Sequence, residues 1–248
     1  MRAVHQGAAA PRPRVTARGA RPHRGARPGG GAARPAHLRG SSSTASCVGV
    51  LLAGGAARRF GGRAKGLARV GGVRIADRVL DALRGATDRQ LVVANDPRAA
   101  EWFPGVEVVG DEVPGRGPLE GIRTALEAAN GAAVIVAAWD MPNVTSALLH
   151  ELKRRGERGA TAVIPVRGAE RRAEPLCAFY ASRALPVCQS LLAAGERRAQ
   201  ALSRALDGVD EMGDDLLAQF GAPDTLLASV DTLQALEALG GTMDERDA

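Results

Sequence analysis

Three observations predict an α/β fold, with a largely parallel sheet covered by helices on both faces. Short apolar runs of strand length alternate with segments of helical periodicity from Cys47 to Leu239. The two clearest runs, Cys47 to Leu52 (CVGVLL) and Ala133 to Ala138 (AVIVAA), lack the polar alternation of a half-exposed strand, as expected when both faces are buried. Glycine-rich or polar segments follow these runs at once, and in such sheets ligands bind just beyond the carboxyl ends of the strands.

In chain order, Cys47 to Leu52 is the first strand, stopped by Ala53-Gly54-Gly55. Ile75, Val79, Leu80 and Leu83 recur at helical spacing, with Gly85 as the stop signal. Leu91 to Ala94 and Val106 to Val109 are the next strands, and Leu119 to Ala129 is a helix leading to the strand Ala133 to Ala138. A helix over Val144 to Arg155 has Thr145 or Ser146 near its start. Ala162 to Pro165 and Leu176 to Tyr180 read as strands; Leu185 to Ala194, Arg197 to Leu206 and Leu233 to Leu239 read as helices.

Charge and composition divide the 248 residues unevenly. The chain carries 33 Lys+Arg against 27 Asp+Glu, a net charge of +6. Residues 1–46 hold nine of the arginines and no acid, so the remainder is slightly acidic and the basic character belongs to a tail. That segment is rich in Ala, Gly and Pro and lacks the aliphatic residues a core needs, so it reads as a disordered basic tail. The folded domain spans 47–240, and 241–248 is expected to be a disordered C-terminus. A specific nucleic-acid interface does not follow from a basic tail. No apolar run reaches the length of a membrane span, so no membrane partner is expected and the location is expected to be cytoplasmic. Cys47, Cys177 and Cys188 are too scattered for a disulfide framework or a metal knuckle and read as small buried residues.

The loop after the first strand carries the strongest chemical signal. It reads Leu52-Ala53-Gly54-Gly55, then Arg58, Arg59, Gly61, Gly62, Arg63 and Lys65, with no carboxylate. Glycines let several N–H groups converge on an anion, and four cations within eight residues repel one another unless an anion is expected. The spacing matches neither the Walker A loop nor the dinucleotide fingerprint. A merely flexible basic loop is the alternative. Asp140 in Trp139-Asp140-Met141-Pro142 sits directly after the strand Ala133 to Ala138, where a rigidly held carboxylate suits Mg²⁺; capping the next helix is its plainer reading. Asn95 offers a donor and an acceptor for base recognition, although Asn95-Asp96-Pro97 is equally a turn signal.

The pattern LLAGG-x3-R-F-G-G-x2-K-G-L resembles the signature of the molybdenum cofactor guanylyltransferases, relatives of the sugar-nucleotide pyrophosphorylases. The resemblance extends over Val48 to Leu239 and implies the α/β, three-layer, Rossmann-like nucleotidyltransferase fold with a mostly parallel mixed sheet. It implies that the backbone of Leu52, Ala53 and Gly54 holds the nucleotide, and that Arg59 and Lys65 grip the triphosphate. Ala64 stands where the family usually has Asp, and Gly54, rather than a second Ala, leans towards the purine. Asp140 falls in a C-D-x-P-like motif and inherits the metal role, with Trp139 replacing a smaller residue. Asn95 and Asp111 inherit nucleotide contacts. Gly115 to Ile122 matches a G-P-L-x-G loop, so Gly117 and Gly121 are expected to line the site. Glu174-Pro175 stands in place of a His-Pro step.

Arg197 and Arg198 match a G-x-R-R stretch directed at the pterin-bearing substrate; alone they would read as a solvated helix start. Ser229 and Asp231 occupy the slot of an Asn-x-Asn-Thr-Pro segment that holds molybdopterin, with both Asn replaced. The implied activity is transfer of GMP from GTP to molybdopterin with Mg²⁺. Transient docking to molybdoenzymes or cofactor-assembly proteins is compatible with it. Two rivals stand beside it: a nucleotidyltransferase using CTP or another phosphorylated acceptor, and a non-catalytic nucleotide-binding module. The physical expectation common to the enzymatic readings is that Lys65 faces Asp140 across a cleft.

Overall fold

The computed structural model describes residues 47–55, 60 and 63–243. The basic tail, residues 244–248, and the loop positions that include Arg58 and Arg59 lie outside the described residues. All described residues belong to one compact unit.

The apolar run Cys47–Leu52 is β1, buried at every position, and forms the centre of the main sheet. It runs parallel to β4 (Arg89–Val93) on one side and to β6 (Ala133–Ala138) on the other; β5 (Glu107–Val109) continues parallel beyond β4. Past β6 the direction reverses once. β9 (Cys177–Tyr180) is antiparallel to both β6 and β7 (Ala162–Arg167), and β10 (Val209–Met212) lies parallel to β7 at the edge. β8 (Arg172–Ala173) folds back on β7 as a hairpin. Because β9 is antiparallel to both neighbours, β1, β4, β5, β6, β7 and β10 all point the same way. Their carboxyl ends form one edge, and the sheet is mostly parallel and mixed.

Alternate residues of β1 enter opposite cores. Leu51 packs with Val79 and Leu83 of α1 (Ile75–Ala86) and Leu148 and Leu152 of α4 (Ser146–Gly156). Val48, Val50 and Leu52 pack with Leu119, Ile122 and Leu126 of α3 (Pro118–Ala128) and with Leu192 of α5 (Leu185–Ala193). Full burial of each such aliphatic side chain contributes roughly 1.5–3 kcal/mol. This two-sided burial makes the fold three-layered, helices over sheet over helices.

Element ends follow local chemistry. The Thr145 hydroxyl accepts from Leu148 N at 3.3 Å and caps α4. Gly85 does not stop α1, which runs to Ala86; a Cβ at Gly85 would meet Ser146 Cβ at 2.7 Å, so this glycine lets α1 approach α4. The C-terminal expectation also changes. Gly241–Thr242, assigned to a disordered terminus, form β11 and pair with β2 (Arg69–Val70), which pairs with β3 (Val73–Arg74). The β2–β3 hairpin leaves one edge of β2 with ladder groups to satisfy, and the chain after α9 (Leu233–Ala238) supplies them.

Candidate active site

Lys65 stands in a short 3-10 turn, Lys65–Leu67, whose Gly66 and Leu67 are buried. The turn is held from the sheet side: a Cβ on Gly66 would lie 2.4 Å from the Trp139 ring, so the indole closes directly over this backbone. Trp139 is itself buried and stacks on Trp102, with ring centroids 6.2 Å apart. This explains how the chain accommodates a large residue before Asp140: the space comes from Gly66. The Trp139 backbone N–H donates to Leu52 O at 3.2 Å, tying the end of β6 to the end of β1.

Asp140 follows at the carboxyl edge and is buried. The Lys65 amine contacts its Oδ2 and also donates to Asp231 Oδ1 at 2.8 Å. Asp231 is brought there by the main chain, because Val230 N donates to Asp140 O at 2.8 Å. Burial pulls the Lys65 amine downward, but facing Asp140 and Asp231 it ends above its usual range and stays protonated. Burial pushes the Asp140 carboxyl upward, opposed by the Lys65 ammonium. An isolated carboxylate at this depth would be costly, so an adjacent cation is a physical requirement of the site. Where the resemblance implies Asn, Asp231 adds a carboxylate, and that carboxylate meets Lys65.

Beside this cluster lies a cavity of about 450 Å³. Leu52, Gly54 and Gly55 form one wall, Asn95 and Asp111 another, and Gly117 and Gly121 the α3 side. Lys65 and Asp140, expected to face each other across a cleft, instead touch directly as a largely buried ion pair; neither lines the cavity, whereas Ala138, two residues before Asp140, does. Ala53 is buried and its N–H donates to Val93 O at 2.8 Å, so that group is used within the sheet. Asn95 Nδ2 donates to Asp111 Oδ2 at 2.7 Å, and Asp111 N donates to Asn95 Oδ1 at 2.8 Å. The asparagine is therefore part of a reciprocal pair, whereas the turn is made by Asp96, whose Oδ1 accepts from Arg98 N at 2.9 Å.

Gly117, with φ at 84°, precedes Pro118 at the start of α3, a backbone shape that disfavours other residues. A Cβ there would stand 2.9 Å from Arg197 O, and Leu119 N donates to that same oxygen at 3.2 Å. Arg197 thus anchors the glycine loop through its backbone, leaving its side chain exposed and without a side-chain partner among the described residues. Arg198 differs from expectation. Its guanidinium is engaged by Glu196, at 3.0 and 2.9 Å, and lines a separate surface cavity with Arg204 instead of the central one. Glu196, two residues earlier, intercepts it. Ser229 is exposed next to Val230, and Arg59 lies outside the described residues.

Glu174 is half-buried and pairs with Arg167 at 3.4 Å. Burial raises its pKa, Arg167 opposes this, and the nearby Asp140 raises it further. The three cysteines are buried free thiols. Among the described residues no helix is long and apolar enough to cross a membrane, and no group of three or more His, Cys, Asp or Glu is arranged to hold a metal. Sequence reading missed Thr124, whose hydroxyl donates to Asp111 Oδ1 at 2.8 Å, because a threonine inside a helix carries no motif signal. It also missed the Gly66–Trp139 contact, which only the crossing of two distant segments creates.

Comparison with known proteins agrees with this architecture. The family model described as MobA-like NTP transferase domain matches residues 49–210. A probable molybdenum cofactor guanylyltransferase from Opitutus terrae is 37% identical over 169 residues, covering 67% of this chain and 82% of that protein. The crystal structure of molybdopterin-guanine dinucleotide biosynthesis protein A from Archaeoglobus fulgidus superposes with a TM-score of 0.65 at 26% identity, over 77% of this chain and 96% of the other. A Mycobacterium tuberculosis protein crystallised as a complex with manganese shares the fold, with a TM-score of 0.55 at 16% identity over 78% of this chain and 97% of that one. The chain belongs to the MobA-like NTP transferase family and is an enzyme of this nucleotidyltransferase kind.

Proposed function

We propose that the protein transfers GMP from GTP to the terminal phosphate of molybdopterin, giving the guanine dinucleotide form of the cofactor and pyrophosphate. The observation that carries this reading is the Lys65 amine set against the buried Asp140 carboxylate at the sheet edge, next to a cavity walled by glycine backbone and the Asn95–Asp111 pair. An acceptor phosphate oxygen forms a bond to the α-phosphorus as the bond to the β-phosphate oxygen breaks, and pyrophosphate leaves with that electron pair. A phosphate dianion is already a nucleophile, so no general base is needed. Positioning and charge neutralisation do the catalysis.

Leu52, Ala53 and Gly54 flank the nucleotide. Lys65 neutralises charge on the phosphoryl oxygens, with Arg59 assigned the same task from the loop. Asn95 and Asp111 face the guanine. Gly117 and Gly121 let the substrate approach α3, and Arg197, Ser229 and Asp231 belong to the pterin side. Asp140 would hold the Mg²⁺; the residues fit a divalent cation because Asp140 and Asp231 converge on one point, which the Lys65 ammonium neutralises. When bound, the cation supplies charge neutralisation to the triphosphate and the leaving pyrophosphate. The reaction requires no membrane or nucleic acid, and a cytoplasmic setting and transient docking to molybdoenzymes or cofactor-assembly proteins are compatible with it.

The replacements at Ser229 and Asp231 favour a second reading, a nucleotidyltransferase with CTP or another phosphorylated acceptor. Pyrophosphate release from GTP, with molybdopterin and Mg²⁺ present, separates the two. Release that requires both GTP and molybdopterin supports the proposal. Equal release from CTP, or GTP binding with no release, contradicts it.

A further inference from the structure

One face of α3 grips three consecutive residues of the loop that follows β5. The Thr124 hydroxyl donates to Asp111 Oδ1 at 2.8 Å, the Arg123 guanidinium lies 3.2 Å from Glu112 Oε2, and Val113 N donates to Glu120 Oε1 at 3.4 Å. These helix residues are themselves buried, with Glu120 and Thr124 at 1% and 6% exposure. Arg123 is locked further by Glu120 and Glu127. The loop therefore hangs from a rigid helix surface, whereas the residues it presents to the cavity are half-buried or exposed.

The hydrogen-bond inventory of the presented pair is specific. Asp111 N is a donor, so the Asn95 atom facing it is Oδ1, and this fixes the orientation of the amide. One amide N–H of Asn95 is used by Asp111 Oδ2, and among the described residues the other has no acceptor and can donate. The Asp111 carboxylate accepts from Asn95 on one oxygen and from Thr124 on the other, and keeps lone pairs on both. A donor beside an acceptor-only carboxylate complements a base edge with one carbonyl oxygen and two adjacent N–H groups. Among the common bases that edge belongs to guanine.

We propose that Thr124 is a positioning residue for base selection: its hydroxyl fixes the rotation of the Asp111 carboxylate and so the geometry in which the Asn95–Asp111 pair reads the purine. This rests on the reading that places guanine against that pair. Without the hydroxyl the carboxylate turns about its own bond, and the contact that depends on two aligned acceptors weakens first. Contacts to the triphosphate, at the opposite end of the nucleotide, are untouched.

The test uses the full chain with Mg²⁺ and measures calorimetric dissociation constants for GTP and for inosine triphosphate, which lacks the exocyclic amine. Wild type prefers GTP. Thr124→Val weakens GTP about tenfold, the scale of one hydrogen bond to a charged group, and brings the GTP-to-inosine ratio close to unity while inosine triphosphate binding changes less than about twofold. Thr124→Ser, which restores the hydroxyl, keeps the wild-type ratio. A Thr124→Val protein that keeps both the GTP affinity and the ratio overturns the proposal, as does one that loses both nucleotides equally, since that is a general structural effect. A wild type with no preference for GTP removes the underlying base assignment itself, and the proposal falls with it.

Discussion

Adding one methyl group at Gly66 probes how the site is held together. In Gly66→Ala the new carbon would lie 2.4 Å from Trp139 Cδ2 and Cε3 and 2.8 Å from Cγ. Carbon atoms at rest stand about 3.5–4.0 Å apart, so the indole must retreat by about 1 Å or the Lys65–Leu67 turn must lift by as much. The ring has little room, being 4% exposed and stacked on Trp102. Overpacking of this kind costs about 1–3 kcal/mol, which for a domain of this size lowers Tm by roughly 2–12 °C. Activity should suffer more than stability, because Lys65 precedes the altered residue and Asp140 follows the displaced one. A misplacement of about 1 Å can cost on the order of 10²-fold in rate. Thermal unfolding and pyrophosphate release measure the two effects. Trp139→Leu makes room for the methyl, so the double variant should be less impaired than the summed single effects, with a coupling of about 0.5–3 kcal/mol. Additive effects, or a Gly66→Ala protein with wild-type Tm and rate, would refute the reasoning.

Other substitutions probe the charges and the core. Lys65→Ala should lower the rate by about 10²–10³, as loss of one preorganised donor does, and near-normal turnover would remove Lys65 from phosphate neutralisation. Asp140→Asn should abolish divalent-cation-dependent turnover with a cooperative unfolding transition retained; a wild-type rate would take the metal role from this residue. The thiols of Cys47 and Cys188 are pushed up to about 12 by burial, and Cys177 is also pushed upward by burial. None should react with iodoacetamide at about pH 8 until the protein unfolds, since the thiolate is the reactive form. Stoichiometric labelling of the native protein, read by mass spectrometry, would contradict that burial.

Most of the main sheet was legible because strands such as Cys47–Leu52 and Ala133–Ala138 are continuous apolar runs, whereas the edge strand Val209–Met212, with two carboxylates in four residues, was not. Nor was the edge order, since nothing local to Cys177–Tyr180 announces that it inserts antiparallel between β6 and β7. Two-residue strands such as Arg69–Val70 and Gly241–Thr242 carry too little periodicity to read, and they pair across most of the chain. At the site, the loop around Lys65 and the strand end at Asp140 announce themselves by composition. The partners that fix them do not: Asp231 reaches Lys65 through a main-chain bond from Val230 to Asp140, and Glu196 captures Arg198 through a local turn. Residue type gives the chemistry available at a position, whereas the partner depends on which segments the fold makes adjacent.

The central claim is that a triphosphate and a divalent cation fit between the glycine loop and Asp140, with the base against Asn95 and Asp111. A crystal structure of the protein with GTP and Mg²⁺ tests it most directly. The account predicts guanine beside the Asn95–Asp111 pair, the cation on Asp140, and the Lys65 amine on a phosphate oxygen. Nucleotide density elsewhere, or a bound triphosphate with Lys65 turned away from it, would contradict the account.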